Sequence, residues 1–365
     1  MSTSASELPP RIADLRRLLD ERAARLAGRT VRLMEVCGTH TMALFRSGIR
    51  AMLPPNVKLL SGPGCPVCVT PMGVIDAAIE IAGRDGVALA TFGDMVRVPG
   101  SRTSLERARA EGADVRVVYS PLDALTLAQA EPGRRVVFFA IGFETTSPTV
   151  AATVAYARDR GVANFLILPA HKLIPPAMAA ILEGGEARVD GFLCPGHVSV
   201  TTGSAVFEPL AERYQAPCVV TGFEAEDILE GIAMLLRQMV EERPTVEIQY
   251  ERWVSREGNR KAQERLAEVF EVCDTAWRGL GAIPRSGLGL RGELSRFDAL
   301  GQLGIEVAPE LENPGCSCGD VLRGLLDPPQ CPLFAKACTP ASPVGPCMVS
   351  TEGSCAAFYR YGRDA

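Results

Sequence analysis

No uninterrupted apolar run in this 365-residue sequence comes near the length that spans a bilayer. The opening Met1-Ser2-Thr3-Ser4-Ala5-Ser6-Glu7 has neither the basic start nor the apolar core of a signal peptide. The Arg-rich N-terminal run is interleaved with Asp and Glu, and a net charge of −5 argues against a large nucleic-acid or anionic-membrane footprint. Several catalytic motifs are missing too. Without G-x-x-x-x-G-K-[ST] there is no P-loop nucleotide site; without H-E-x-x-H, G-x-S-x-G or C-x-x-x-C-x-x-C, the zinc-protease, serine-hydrolase and radical-enzyme readings fall away. Gly287-Leu288-Gly289-Leu290-Arg291-Gly292 does fit G-x-G-x-x-G, but no strand precedes it, so a flexible loop is expected there. Histidine is scarce, at three residues.

Cysteine is what the sequence has instead, with twelve. The absence of export or membrane signals predicts a cytoplasmic protein, where thiols stay reduced, so twelve cysteines point to metal or redox chemistry rather than structural disulfides. A hydrophobic share of 47% with 22% charged residues is that of a folded chain with a core to bury.

The length calls for two or three domains. Residues Pro10 to Leu26 read as an amphipathic helix with Ile12, Leu15, Leu18, Leu19 and Leu26 on one face. Short apolar, β-branched runs then alternate with turns and helical patterns, beginning at Val31, Val57, Val87 and Val115. After the turn Glu131-Pro132-Gly133 a second series begins at Val136, Phe165, Gly191 and Cys218. This alternation predicts an α/β fold of two parallel-sheet βαβ domains, residues 1–130 and 131–243. Gly142-Phe143-Glu144 and Gly222-Phe223-Glu224 hint at similar strand-to-helix corners. Beyond Pro244 come a strand-like Thr245 to Tyr250, a helix from Gly258 to Val272, a glycine-rich stretch and, from Asn313, a tail with six cysteines among prolines and glycines. Residues 244–365 are therefore expected to form a loop-rich, cysteine-rich third part that needs an internal staple.

Cys37 falls where the first strand-like run gives way to Gly38 and a helical pattern, the place where an α/β sheet presents chemistry. A helix N-terminus there favours thiolate, the metal-binding form, and His40 lies one turn on, able to ligate, donate a hydrogen bond or shuttle a proton. Cys65-Pro66-Val67-Cys68 offers a redox pair or half of a composite metal site. Cys331, Cys338, Cys347 and Cys355 suit a wrapped [4Fe–4S] cluster, with structural zinc as the other reading. Cys316 and Cys318 stand as a reserve redox pair or alternative ligands. Cys194, His171 and His197 follow strand-like runs and, with Glu144 and Lys172, are candidates to line the cleft around Cys37. Cys218 and Cys273 are expected to be inert core thiols.

Met34-Glu35-Val36-Cys37-Gly38-Thr39-His40, Gly62-Pro63-Gly64-Cys65-Pro66-Val67-Cys68, Gly142-Phe143-Glu144-Thr145-Thr146, Cys194-Pro195-Gly196-His197-Val198 and the tail cysteines resemble the HypD maturation factors of [NiFe] hydrogenases. The resemblance spans nearly the whole chain. It implies a redox-active scaffold on which one iron acquires two cyanides and one carbon monoxide. Cys37 would be one iron ligand, a small HypC-like chaperone would supply another, and a HypE-like protein would donate cyanide. The hydrogenase large subunit would receive the product, and Cys65 and Cys68 would exchange electrons with a [4Fe–4S] cluster. A cluster-dependent thiol-disulfide oxidoreductase, with Cys65 and Cys68 as the active pair, is the alternative.

Overall fold

The computed structural model describes residues 9–309 and 315–362, so the opening Met1–Glu7 and Asn313, the expected start of the tail, lie outside the described residues. Strands β1 (Val31–Glu35), β2 (Val57–Ser61), β3 (Val87–Thr91), β4 (Val115–Val117), β5 (Arg135–Gly142), β6 (Phe165–His171), β7 (Gly191–Pro195), β8 (Cys218–Thr221) and β9 (Val246–Ile248) form two parallel sheets. The first has the order β2-β1-β7-β8-β9 and the second β4-β3-β5-β6. Helices connect successive strands, as parallel crossovers require. The expected mixed α/β class with two parallel sheets is what the chain adopts.

The division expected at residue 130 is not the division between the sheets. The chain lays down β1 and β2, leaves to build all four strands of the second sheet, then returns with β7, which pairs with β1 through Leu33↔Gly191 and Met34↔Phe192. In the first sheet the strand order therefore reverses at β1, and the residues just past β1 sit at a topological switch point. Cys37 is two residues beyond the end of β1.

Helix α1 (Pro10–Arg25) folds on the periodicity of its apolar residues, with Pro10 fitting the first helical position. Leu19 and Ala23 are buried in one cluster with Ile228, Ile232, Leu235 and Leu236 of helix Ala225–Val240. Full burial of one such leucine contributes about 1.5–3 kcal/mol.

Two expectations beyond residue 250 fail. The helix ends at Val269, and Phe270–Trp277 is a strand, β10, so Cys273 lies in a sheet at intermediate exposure rather than in a helix or the core. The glycine-rich stretch is its antiparallel partner β11 (Gly281–Leu290) and not a loop. Glycine is needed there for close approach: a Cβ on Gly287 would lie 2.7 Å from the Thr275 side chain.

The cysteine-rich tail packs on the first sheet's layer. Its last helix, Ser354–Tyr361, lies against α2 (Gly38–Arg46), with Phe358 edge-on to Phe45 at 4.5 Å and the Arg50 guanidinium over both rings.

Candidate functional site

Cys37 caps α2 in an extended conformation, φ −149° and ψ 123°. The buried Glu35 holds this corner from below. Its carboxylate accepts from Cys37 N at 3.2 Å and from Thr41 Oγ1 at 2.6 Å, tying the end of β1 to the first turn of α2. The loop before Cys65 closes one side, where Gly38 N donates to Gly64 O at 2.9 Å. The tail closes another: Thr39 Oγ1 donates to Glu352 Oε1 at 2.9 Å, and Thr351 N donates to Asp94 Oδ2 at 3.3 Å. Three segments far apart in sequence thus meet around one sulfur.

The helix-terminus effect on this sulfur is present but outweighed. Burial pushes the Cys37 thiol up to about 12, and the nearby Glu352 and Glu35 carboxylates add to the rise, while the backbone amides of His40 and Thr39 pull it down. With 9% exposure, desolvation of the charged form exceeds the dipole's contribution, so the thiol is protonated without a cation beside it. The thiolate expected from sequence is corrected accordingly. Glu35 is likewise raised to about 7 by burial.

His40 is fully buried. Its Nε2 lies 2.8 Å from Gly222 O and 3.0 Å from Thr221 Oγ1, which assigns the ring proton to Nε2 and leaves Nδ1, without a protein partner, as an acceptor. Burial lowers its pKa to about 4, so the ring is neutral. Phe223 lies between two imidazoles, 4.6 Å from His40 and 3.9 Å from the exposed His197, both stacked. His197 therefore does reach the Cys37 neighbourhood, through Phe223.

Cys65 and Cys68 form a disulfide with a Cα–Cα separation of 5.2 Å, both residues buried. Cys65 caps the short helix Pro66–Val69, and its sulfur accepts from Cys68 N at 3.2 Å. That helix packs on the tail helix Pro346–Val349, which carries Cys347.

All six tail cysteines, Cys316, Cys318, Cys331, Cys338, Cys347 and Cys355, line a single small cavity of about 10 Å³. The sulfurs of Cys318 and Cys347 lie 2.8 Å apart. Cys318 is drawn to low pKa by hydrogen bonds from Cys316 and Cys347, with the Arg278 guanidinium adding to the effect. Arg278 is buried, its backbone N donates to Val69 O at 2.9 Å, and the next residue, Gly279, abuts Gly319; a Cβ on Gly279 would lie 2.3 Å from Gly319 Cα. A buried cation thus stands between the Cys65–Cys68 helix and the thiol cavity. Among the described residues no three Cys, His, Asp or Glu side chains converge as ligands of one metal ion. Six sulfurs spread over one cavity wall are instead a donor set suited to a multi-atom group with soft metal centres.

The remaining candidates are elsewhere. Cys194 is fully buried in β7, its sulfur 4.0 Å from Phe192 O and within hydrogen-bond reach of Cys218, which is core, as expected. His171, Lys172 and Glu144 belong to the edge of the second sheet beneath β10 and β11. His171 meets Phe270 edge-on at 5.3 Å, Lys172 Nζ donates to Thr275 Oγ1 at 2.8 Å, and Glu144 Oε1 accepts from Ile174 N at 2.9 Å.

Sequence reasoning missed Glu35, Glu352, Phe223 and Arg278. Only Glu35 left a signal, as a carboxylate inside an otherwise apolar strand end.

The fold and its gathered thiols define a thiol-rich α/β protein with its cysteines concentrated at a switch point and in one cavity. A family model described as "HypD: Hydrogenase formation hypA family" matches residues 12–362. The chain is 50% identical over 353 residues to the hydrogenase maturation factor HypD of Azotobacter vinelandii, covering 93% of each chain. It is 47% identical over 359 residues to the Escherichia coli (strain K12) hydrogenase maturation factor HypD, covering 97% of this chain and 96% of that one. The chain belongs to the HypD family of hydrogenase maturation factors. No helix among the described residues is long and apolar enough to cross a membrane.

Proposed function

We propose that this maturation factor is a cytoplasmic scaffold on which one iron acquires two cyanides and one carbon monoxide for the [NiFe] hydrogenase site. Cys37 is this chain's ligand to that iron, which is the substrate here. The observation that carries the reading is the convergence at Cys37 of the amide-lined first turn of α2, the loop leading into Cys65 and the tail segment at Glu352. A protonated, buried thiol is suited to reversible loading. A cation that binds there displaces the thiol proton, and without it the site returns to a neutral state. The amides of Thr39 and His40 then stabilise the charged sulfur. Because His40 commits its N–H to Gly222, donors to the anionic cyanide nitrogens come from backbone amides, while His40 fixes the α2 turn against the end of β8. A small HypC-like chaperone supplies the second cysteine ligand, a HypE-like protein the cyanide, and the hydrogenase large subunit receives the product.

The six-thiol lining offers the soft donors that a [4Fe–4S] cluster takes, with Cys331, Cys338, Cys347 and Cys355 the proposed ligands and Cys316 and Cys318 in the same lining. When bound, such a cluster supplies single electrons. Opening the Cys65–Cys68 disulfide consumes two electrons and two protons and yields two thiols, and Arg278 stabilises negative charge on the sulfurs of this region.

The test is Cys37→Ser. The variant is expected to keep its fold and cluster absorbance yet lose the infrared bands of iron-bound cyanide and carbon monoxide in the partner complex; unchanged bands would overturn the assignment. The Cys65–Cys68 disulfide also favours a second reading, a cluster-dependent thiol-disulfide oxidoreductase. Disulfide reductase activity retained in Cys37→Ala, together with normal hydrogenase maturation, would select it.

A further inference from the structure

A cavity of about 270 Å³ lies apart from the Cys37 corner and the thiol cavity. One wall is the segment that follows β3, carrying Arg97, Arg102 and Arg107; the other is residues 341–343, part of the chain that joins Cys338 to Cys347. Against three guanidinium groups stands one carboxylate, Glu106. None of the three arginines is ion-paired among the described residues, although the chain as a whole is acidic, at −5.

The walls are built rather than loose. Arg97 Nη2 donates to Pro340 O at 2.5 Å, linking the two walls. Gly100 N donates to Thr103 O and Ser101 N to Asp76 Oδ1, each at 2.8 Å, which holds the turn before Arg102. Like charges on a shared concave surface repel one another, and a multiply charged anion relieves that repulsion. Guanidinium forks match the oxygens of a phosphate in pairs, and the Thr103 and Ser342 hydroxyls on the lining add neutral donors. A volume of this size takes a phosphate or pyrophosphate group but not a folded segment of another protein, which favours a small anion over an acidic polypeptide.

We propose that this cavity binds a phosphate-bearing small molecule, either a free phosphate or pyrophosphate or the phosphates of a nucleotide, and that occupancy ties the Arg97–Arg107 segment to the loop between Cys338 and Cys347. The site stands independently of the iron chemistry, because its lining contains none of the cysteines.

The test uses the full-length protein purified anaerobically, with orthophosphate, pyrophosphate and ATP titrated calorimetrically at constant ionic strength. Saturable binding is expected, weakened at least tenfold, about 1.4 kcal/mol, in the double variant Arg102→Ala/Arg107→Ala, which removes two charge-assisted donors from the lining. Bound anion is also expected to slow amide hydrogen exchange in residues 339–345. Pyrophosphate binding as tightly as ATP assigns the phosphate group itself, and binding of ATP alone assigns a nucleotide; both support the site. Absence of saturable binding, equal binding by the double variant, or binding of an oligo-aspartate peptide but of no phosphate would overturn it.

Discussion

Gly64→Ala probes the joint between the iron-binding corner and the disulfide. A Cβ at Gly64 would lie 2.2 Å from Cys37 N, 2.3 Å from Val36 C and 2.4 Å from Cys37 Cα. All three are backbone atoms of the Cys37 corner, which Glu35 holds in place through Cys37 N and Thr41, so no side chain can swing away to make room. The two segments must separate by about 1 Å to reach ordinary van der Waals contact. Separation gives up the Gly38 N to Gly64 O bond, worth about 1 kcal/mol, and adds overpacking strain of about 1–3 kcal/mol. The sum is ~3 kcal/mol. With a urea dependence of about 3 kcal/mol/M, the unfolding midpoint is expected to fall by about 1 M. Gly93→Ala is the matched control, because its nearest neighbour, Val117 Cγ1, is 3.7 Å away, an ordinary contact. Alkylation mapped by mass spectrometry provides a local readout: Cys37 should react faster in Gly64→Ala than in Gly93→Ala, as the covering loop lifts. If the two variants share one midpoint and one Cys37 reaction rate, the described packing of these loops is wrong.

Further predictions concern the core, the cavity and pH. Burial raises the Glu144 carboxyl to about 7 from an ordinary 4.5, so between those values the folded protein holds a proton that the unfolded chain has lost. The Glu144 contribution to stability therefore falls as pH rises through that window, by at most ~3 kcal/mol, and the urea midpoint of Glu144→Gln should rise relative to that of the unsubstituted protein as pH goes from 4.5 to 7. Cys338→Ala should bleach the absorbance of an anaerobically purified protein and lower its melting temperature; retained absorbance would remove Cys338 from the ligand set. Leu19→Ala empties a fully buried position between α1 and helix Ala225–Val240 and should cost about 2–5 kcal/mol without altering the absorbance of the proposed cluster, because neither helix lines the thiol cavity.

The strands from β1 to β8 were legible because each is a short apolar run closed by a turn, a signal carried within a few residues. Their assignment to sheets was not. The runs of both sheets look alike locally, while membership depends on pairings such as Leu33↔Gly191, formed across the whole excursion that builds the second sheet. Strand β11 was hidden for the opposite reason. Its glycines remove the apolar signal at the positions where Gly287 must pass close to Thr275. At the candidate site, the place of Cys37 followed from strand-then-helix order, but its protonation state did not. Local sequence encodes the amides of Thr39 and His40, which favour thiolate, whereas desolvation by the surrounding chain and the carboxylate of Glu352 favour thiol, and these arrive from elsewhere in the chain. The same applies to His40, whose neutral state and fixed orientation come from Gly222 and Phe223 rather than from its own helix. A motif can therefore place a nucleophilic or metal-binding atom, while the tertiary fold decides which charge state that atom rests in, and for a buried sulfur the two act in opposite directions.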